Sequence, residues 1–311
     1  MRTIRIFSVL ALASAMIAGC SQTSLKKTPG GMPYQVFSSK DTQKVEVGDF
    51  IKASYIYKVN DSVLFDSHNS MPVYIPVMAQ TQPYDISEVW SGLKLGDSVV
   101  ATQMLDTFIK RMPENIPPQF KKGDRIRIFA KILGIFKNDS LMNVDKKKTF
   151  DAFAANEVVV VENYLKEKKI TAQKTPSGAF VEYKNPGTGN NVDSGKYVTV
   201  NYTGTTFAGT KFDSNTDTAF HHTEPLGFVV GAGQMIKGFD EGVRLMKPGG
   251  SARIYIPSLL AYGDRPGTPL IKPFEHLIFD VQVLEVKDAP PAVKDIPPPP
   301  PPTEKIDAHQ H

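Results

Sequence analysis

The sequence predicts an α+β protein of two similar domains, each an antiparallel sheet wrapped around a short helix, with a connecting helix between them. Three observations carry this. Val198, Val200 and Tyr202 alternate with Thr199, Asn201 and Thr203, while Ala252, Ile254, Ile256 and Leu277, Phe279, Val281, Val283 keep the same two-residue period of half-buried strands. Among these runs only residues 235–246 read as a helix, and they stop at Lys247-Pro-Gly-Gly250, where proline and glycine end a helix. The same pattern recurs in a worn form in residues 34–137.

The second copy is rich in rings. Tyr202, Phe212, Phe228, Phe239, Tyr262 and Phe279 fall on inward phases or at strand ends. A core accounts for some of them, Phe228 above all. Buried tyrosine hydroxyls need partners, however, and a shallow aromatic bowl with a few polar groups is how small ligand sites are built. The runs Tyr202-Thr-Gly204, Phe212-Asp-Ser214, Ile236-Lys-Gly-Phe-Asp-Glu-Gly242, Ala261-Tyr-Gly263 and Leu277-Ile-Phe-Asp-Val281, in that order, closely resemble the FKBP-type peptidyl-prolyl cis–trans isomerases. The resemblance covers residues 175–287, and its lead-in, Thr175-Pro-Ser-Gly178 and Pro186-Gly-Thr-Gly189, is similar to that of bacterial cell-envelope members.

The resemblance implies a five-stranded sheet around a short helix, with the site between them. It implies that Tyr202, Phe212, Met235, Ile236, Phe239 and Phe279 wall a proline pocket. The backbone N–H of Ile236 and the hydroxyl of Tyr262 would hold substrate carbonyls, and Asp213 would order the pocket through hydrogen bonds. Phe239 stands where many relatives have Trp, and Leu226 where a second aromatic is common, so a more open rim is expected. The loop 264–272 is expected to overhang the site. No cofactor or metal is called for, because X–Pro rotation breaks no bond. Its barrier of about 18–20 kcal/mol is amide resonance, and a pocket that prefers the twisted amide to the planar one lowers that barrier by differential binding.

Taken in order, the chain of 311 residues is long enough for more than one domain, and with 41% hydrophobic and 22% charged residues it has an ordinary globular composition. A net charge of +4 with no basic patch interleaved with aromatics gives no reason to expect nucleic acid. Residues 1–19 read as a signal peptide: Arg2 and Arg5 precede a short apolar run that ends at Ile17-Ala-Gly-Cys20. Small residues before a cysteine resemble the bacterial lipobox, and Cys20 is the sole cysteine. A thioether lipid anchor at Cys20 explains its place and its lack of a disulfide partner better than an ordinary secretory signal does. Residues 20–33 are expected to be a flexible tether. They carry no acidic run of the kind that serves as a surface-export signal in some lipoproteins, so the expected location is a membrane-anchored protein facing the periplasm.

In residues 34–137, Tyr55 stands ten residues before Phe65-Asp-Ser67, as Tyr202 stands before Phe212-Asp-Ser214. Glu88-Val-Trp-Ser-Gly-Leu-Lys-Leu-Gly96 parallels Glu241-Gly-Val-Arg-Leu-Met-Lys-Pro-Gly249, and Ile126-Arg-Ile-Phe-Ala-Lys-Ile-Leu133 alternates like a last strand. Pro83, which has no N–H, replaces Ile236, Ile86 replaces Phe239, and Ala-Tyr-Gly is missing. This copy reads as structural or partner-binding, with weak or no isomerase activity; an unrelated β-domain is the alternative.

Residues 138–174 link the copies. From Phe150 the apolar positions Ala154, Val158, Val161 and Leu165 keep helical spacing behind Thr149 as N-cap, and Asp145-Lys-Lys-Lys148 reads as a solvated charge run. The stripe packs on its own domains or forms a homodimer. Residues 288–311, with a proline run to Pro302, read as a stiff solvated tail. His221 and His222 lie in a loop with no third ligand nearby and read as solvated. No nucleophile elbow or phosphate loop appears.

The resulting expectation is an isomerase acting on X–Pro bonds of envelope proteins, with proline-containing polypeptides as clients. The alternative is a non-catalytic chaperone or assembly module that grips proline-containing chains.

Overall fold

A computed structural model of the chain describes residues 25–111, 120–265 and 268–288. The expected signal peptide, Cys20 and all but Asp288 of the proline-rich tail lie outside these residues. The chain divides between Phe153 and Ala154 into two compact units.

The second unit holds strands β8 (Gln173–Lys174), β9 (Phe180–Asn185), β10 (Tyr197–Thr206), β11 (Lys211–Ser214), β12 (Leu226–Val229), β13 (Ser251–Ile256) and β14 (Leu277–Lys287), with helix α4 (Lys237–Arg244) between β12 and β13. The strands form one antiparallel sheet in the order β11-β10-β14-β13-β9-β8, with β12 also on β10. β12 pairs with residues 197–200 of β10 and β11 with residues 203–205, so the two are halves of one interrupted edge. Apart from the two-residue β8, the sheet is therefore five strands wide, as the resemblance implies. The predicted alternation is realised: Val198, Val200, Ile254, Leu277, Val281 and Val283 are buried in one cluster with Val243 of α4 and Met246 just after it. The helix lies close on the sheet because two of its four buried residues are glycine. A Cβ on Gly238 would come within 2.3 Å of Ile256 Cγ2, and one on Gly242 within 2.6 Å of Ile254 Cδ1.

α4 is shorter than the expected 235–246. Met235 and Ile236 precede it, and Ile236 is extended, with φ −57° and ψ 141°. Its carbonyl accepts the first helical N–H groups, from Phe239 at 3.0 Å and Asp240 at 3.1 Å.

The first unit repeats this architecture with β1 (Lys26–Lys27), β2 (Pro33–Phe37), β3 (Phe50–Val59), β4 (Ser62–Asp66), β5 (Val73–Pro76), β6 (Ser98–Met104) and β7 (Arg125–Phe136). Strand order is β1-β2-β6-β7-β3-β4, with β5 on β3, the same path as in the second unit. The long central strands shift register at the same place, Lys52/Ala53 in β3 and Thr199/Val200 in β10. Helix α1 (Ser87–Trp90) is only 4 residues long, and α2 (Leu105–Arg111) follows β6. The expected tether 20–33 runs into this fold. Thr28 and Met32 are buried, and the Met32 N–H donates to Thr28 Oγ1 at 3.1 Å, as the Ala179 N–H does to Thr175 Oγ1 at 3.1 Å. Thr28-Pro-Gly-Gly31 is thus the counterpart of Thr175-Pro-Ser-Gly178.

The connecting helix α3 (Asp139–Glu167) is longer than expected. Asn138 Oδ1 accepts the Leu141 N–H at 2.9 Å and supplies the cap assigned to Thr149. Thr149 instead lies inside the helix, where its Oγ1 accepts from Lys52 Nζ at 2.7 Å. Asp145, expected to be solvated, pairs with Lys52 at 2.8 Å and accepts the Tyr74 hydroxyl at 2.6 Å. Residues 154–167 of α3 belong to the second unit, where Val161 and Leu165 are buried with Phe180, Tyr255 and Ile278. Burial of the stripe overrides the low helix propensity of its valines.

Candidate functional site

The site lies in the second unit, in a cavity of about 240 Å³ lined by Tyr202, Asp213, Leu226, Gln234, Met235, Ile236, Phe239, Tyr262 and Phe279. β10 supplies Tyr202, β11 Asp213 and β14 Phe279. The turn before α4 supplies Gln234, Met235 and Ile236, its first turn Phe239, and the segment after β13 Tyr262. Gln234 Oε1 accepts the Val229 N–H at 2.8 Å, which ties that turn to β12.

Phe239 and Phe279 form the apolar floor. Both are buried, with centroids 5.1 Å apart and planes at 75°, and Tyr202 stands edge-on to Phe239 at 6.3 Å. Seven of the eight residues expected at the site line this cavity. Phe212 does not. Its ring is 5% exposed and packs edge-on behind Phe279 at 5.6 Å. It occupies the space over Gly204, where a Cβ would sit 2.6 Å from Phe212 Cζ. Phe212 therefore backs the floor and does not face the cavity. Among the described residues, none from the loop 264–272 lines the cavity either, and Ile271 is buried in the core.

One side of the cavity is polar. The Tyr202 hydroxyl donates to Asp213 Oδ2 at 2.7 Å, and His222 Nε2 lies 2.8 Å from Asp213 Oδ1. His222 was expected to be merely solvated. It reaches Asp213 because a 3₁₀ turn, Thr218–Phe220, is capped by the Asp217 side chain and ends at His221 in the left-handed region with φ 59°. Burial pushes the Tyr202 hydroxyl well above the usual phenol range, and its bond to Asp213 adds to this. Burial, and then the charge of Asp213, push the Tyr262 hydroxyl up as well. Both tyrosines therefore keep their protons through neutral pH.

Two donors at the cavity are left unused. Neither the Ile236 backbone N–H nor the Tyr262 hydroxyl makes a hydrogen bond among the described residues. The arrangement brings no nucleophile to a base. It offers apolar ring surface and two donors to a carbonyl-bearing chain. Among the described residues no group of three or more His, Cys, Asp and Glu could hold a metal ion, and no helix is long and apolar enough to cross a membrane.

The first unit has a cavity of about 360 Å³ lined by Tyr55, Val73, Ile75, Asp85, Ile86, Ser87 and Trp90. Its chemistry differs. The Phe65-Asp-Ser67 motif is one register position away from Phe212-Asp-Ser214. Phe65 pairs with Tyr57, whereas Asp213 pairs with Gly204, the residue equivalent to Tyr57. Likewise the backbone N–H of Tyr55 donates to Ser67 Oγ at 2.7 Å, while that of Tyr202 donates to Asn215 Oδ1 at 2.7 Å. The cause is the turn. Only Asn60 and Asp61 separate the paired Val59 and Ser62, whereas Phe207, Ala208 and Gly209 lie between Thr206 and Thr210, whose N–H and C=O bond at 2.9 Å. A one-residue slip turns each side chain to the other face. Phe65 is accordingly 38% exposed, and Asp66 bonds its own neighbour His68 at 2.8 Å.

Comparison with known proteins places the second unit among relatives. The profile of the FKBP-type peptidyl-prolyl cis-trans isomerases matches residues 189–284. The chain is 42% identical to an FK506-binding protein of Neisseria meningitidis serogroup B over 109 residues, 35% of this chain and 96% of that protein. It is 32% identical over 198 residues to the FKBP-type peptidyl-prolyl cis-trans isomerase FkpA of Aeromonas hydrophila, which covers 63% of this chain and 67% of the relative. The crystal structure of FkpA from Escherichia coli overlaps 49% of this chain and 69% of that one at 29% identity, with a TM-score of 0.37.

Proposed function

The chain belongs to the FKBP-type peptidyl-prolyl cis-trans isomerases, and from that premise we propose that its catalysis of X–Pro rotation in polypeptides is done by the cavity of the second unit. The observation that carries this assignment is the pairing of an apolar floor, Phe239 and Phe279, with two donors, Ile236 N–H and Tyr262 O–H, that have no partner among the described residues. A planar amide has a large dipole that water solvates well. Twisting it removes resonance and much of that dipole, so a floor of rings favours the twisted form. The two donors hold carbonyls flanking the bond and fix the chain while it turns. Asp213 acts by position: it orders Tyr202 and moves no proton. Phe212 stiffens Phe279 from behind. A protease-coupled isomerisation assay on the full chain tests the assignment. Phe279→Ala should lower kcat/KM strongly while the circular dichroism of the fold persists; unchanged kcat/KM would make the rings a core and nothing more.

The clients we propose are proline-containing segments of envelope proteins, at a membrane to which Cys20 holds the chain by lipid. The support is the Ile17-Ala-Gly-Cys20 run and the solitude of that cysteine. Cell fractionation of Cys20→Ser tests it, since continued membrane association would exclude a Cys20 anchor. A homodimer through α3, which exposes Leu141, Val144 and Phe150, is a further part of the proposal; a monomer in sedimentation equilibrium would remove it. A second reading, a chaperone that grips chains without turning them, draws on the first unit's cavity, where Ser87 Oγ is buried without a partner. Binding of a proline-free unfolded chain after the second-unit cavity is disabled would favour it.

A further inference from the structure

Glu157 is a buried carboxylate with an unusual set of neighbours. It lies on the part of α3 that belongs to the second unit, and its side chain is 5% exposed. Among the described residues no lysine or arginine pairs with it. Its oxygens accept the hydroxyl of Ser258 and the backbone N–H of Leu259, the latter at 2.9 Å. The remaining titratable group facing it is His276, whose Nδ1 lies 4.0 Å away. That nitrogen accepts the Ser258 N–H at 3.0 Å, which requires a neutral ring, and burial lowers the proton affinity of the ring in agreement. Burial also pushes the Glu157 carboxyl above the usual carboxylate range. A buried carboxyl without a cation is costly. What it holds is a single short segment.

That segment carries a site residue. Ser258 begins the 3₁₀ turn Ser258–Leu260, and its carbonyl accepts the N–H groups of Ala261 and Gly263, each at 2.9 Å. Tyr262 sits between those two residues, so its backbone hangs on Ser258 from both sides. Ser258 is in turn fixed through its hydroxyl by Glu157 and through its N–H by His276. The path from helix to site is thus Glu157, Ser258, then the Ala261–Gly263 bracket around Tyr262.

We infer that Glu157 is a positioning residue for catalysis, which sets the Tyr262 hydroxyl against the substrate carbonyl by clamping the 258–260 turn. It lies 32 residues before the start of the matched family segment 189–284, so the working isomerase unit includes the second half of α3. A fragment that starts at Thr175 lacks the clamp. The inference rests on the assignment of Tyr262 as a carbonyl-holding donor.

The test is a double-mutant cycle in the full chain, read as kcat/KM for a prolyl peptide, with thermal midpoints measured alongside. Tyr262→Phe removes one hydrogen bond and should lower kcat/KM by roughly 2- to 13-fold. Glu157→Leu should cost a similar factor and add nothing in the Tyr262→Phe background, whereas it should multiply with Phe279→Ala. Glu157→Gln, which keeps an acceptor oxygen, should recover most of the loss. A Glu157→Leu protein with wild-type kcat/KM beside an impaired Tyr262→Phe would overturn the clamp, and so would multiplicative losses from Glu157→Leu and Tyr262→Phe. Full activity in Tyr262→Phe would instead overturn the role of Tyr262 on which the inference stands. If Glu157→Leu does not fold, Ser258→Ala removes the same hydroxyl link and carries the same expectations.

Discussion

The two units share strand order, register shifts and lead-in hydrogen bonds, yet their β3–β4 and β10–β11 hairpins set their sites apart. In the second unit a three-residue turn places Asp213 beside the Tyr202 hydroxyl. In the first, the same ten-residue spacing folds through a two-residue turn, and Asp66 bonds His68. Conserving the spacing of a motif does not conserve its chemistry when turn size decides which face each residue takes. Two further differences point the same way. Pro83 stands where Ile236 offers an N–H, and Ile86 stands where Phe239 forms the floor. The short α1 also lacks the paired inner glycines that bring α4 onto its sheet.

Making the second unit more like the first should break its function, in proportion to what is removed. The largest effect is expected for Phe239→Ile, which installs the residue of the first unit. Phe239 meets Tyr202, Phe228 and Phe279 at centroid distances of 6.3, 5.9 and 5.1 Å. Those contacts, worth about 0.5–1.5 kcal/mol each, bear on stability, while losing the ring face that favours the twisted amide should lower kcat/KM by roughly tenfold or more, about 1.4 kcal/mol of transition-state stabilisation. The reciprocal Ile86→Phe should gain nothing, because the donors are still missing. Isomerisation kinetics on both variants check this.

A smaller loss is expected from Asp213→Asn. The amide still accepts from Tyr202 but gives up the charge, and charged hydrogen bonds exceed neutral ones by about 1 kcal/mol, so about fivefold in kcat/KM is expected. Asp66→Asn should leave activity unchanged. The smallest effect belongs to His222→Ala. His222 and Asp213 are 49% and 35% exposed as side chains, and exposed pairs contribute about 0–1 kcal/mol.

The pH profile sharpens the same comparison. Burial raises the Tyr202 and Tyr262 pKa values in the folded protein. The stability these neutral hydroxyls contribute is then fully present below about pH 10, the ordinary phenol value, and is lost as pH rises beyond it. Activity should be level across neutrality, because both tyrosines keep their protons there. A steep limb between about pH 6 and 8 would reveal a titrating base and contradict the reading of Asp213 as an ordering group.

Much of this was legible in the sequence. Strands β10, β13 and β14 announce themselves because one face is buried and the side-chain period is two. Tyr202, Asp213, Ile236, Phe239, Tyr262 and Phe279 are legible in the family's motifs, and the structure brings them together around one cavity. What escaped depended on three-dimensional geometry. Phe212, a pocket wall by the resemblance, packs edge-on behind Phe279, because a matched motif does not tell a ring at the floor from one that backs it. His222 depends on a left-handed His221 that spacing does not reveal. Glu157 meets a segment 101 residues away, beyond any local pattern. The start of the first unit is legible in Thr28-Pro-Gly-Gly31, which repeats Thr175-Pro-Ser-Gly178 and shares its hydrogen bond.

The central claim is that isomerisation is done by the second unit and not by the first. The most direct measurement is protease-coupled X–Pro isomerisation by the full chain in two parallel variants. One carries Phe239→Ile with Tyr262→Phe, and the other carries Tyr55→Phe with Ile86→Ala. The account predicts that the first falls toward uncatalysed exchange, which takes on the order of 10–100 s, while the second keeps the parent rate. A parent-like rate in the first variant, or a collapse in the second with its fold intact, would contradict it.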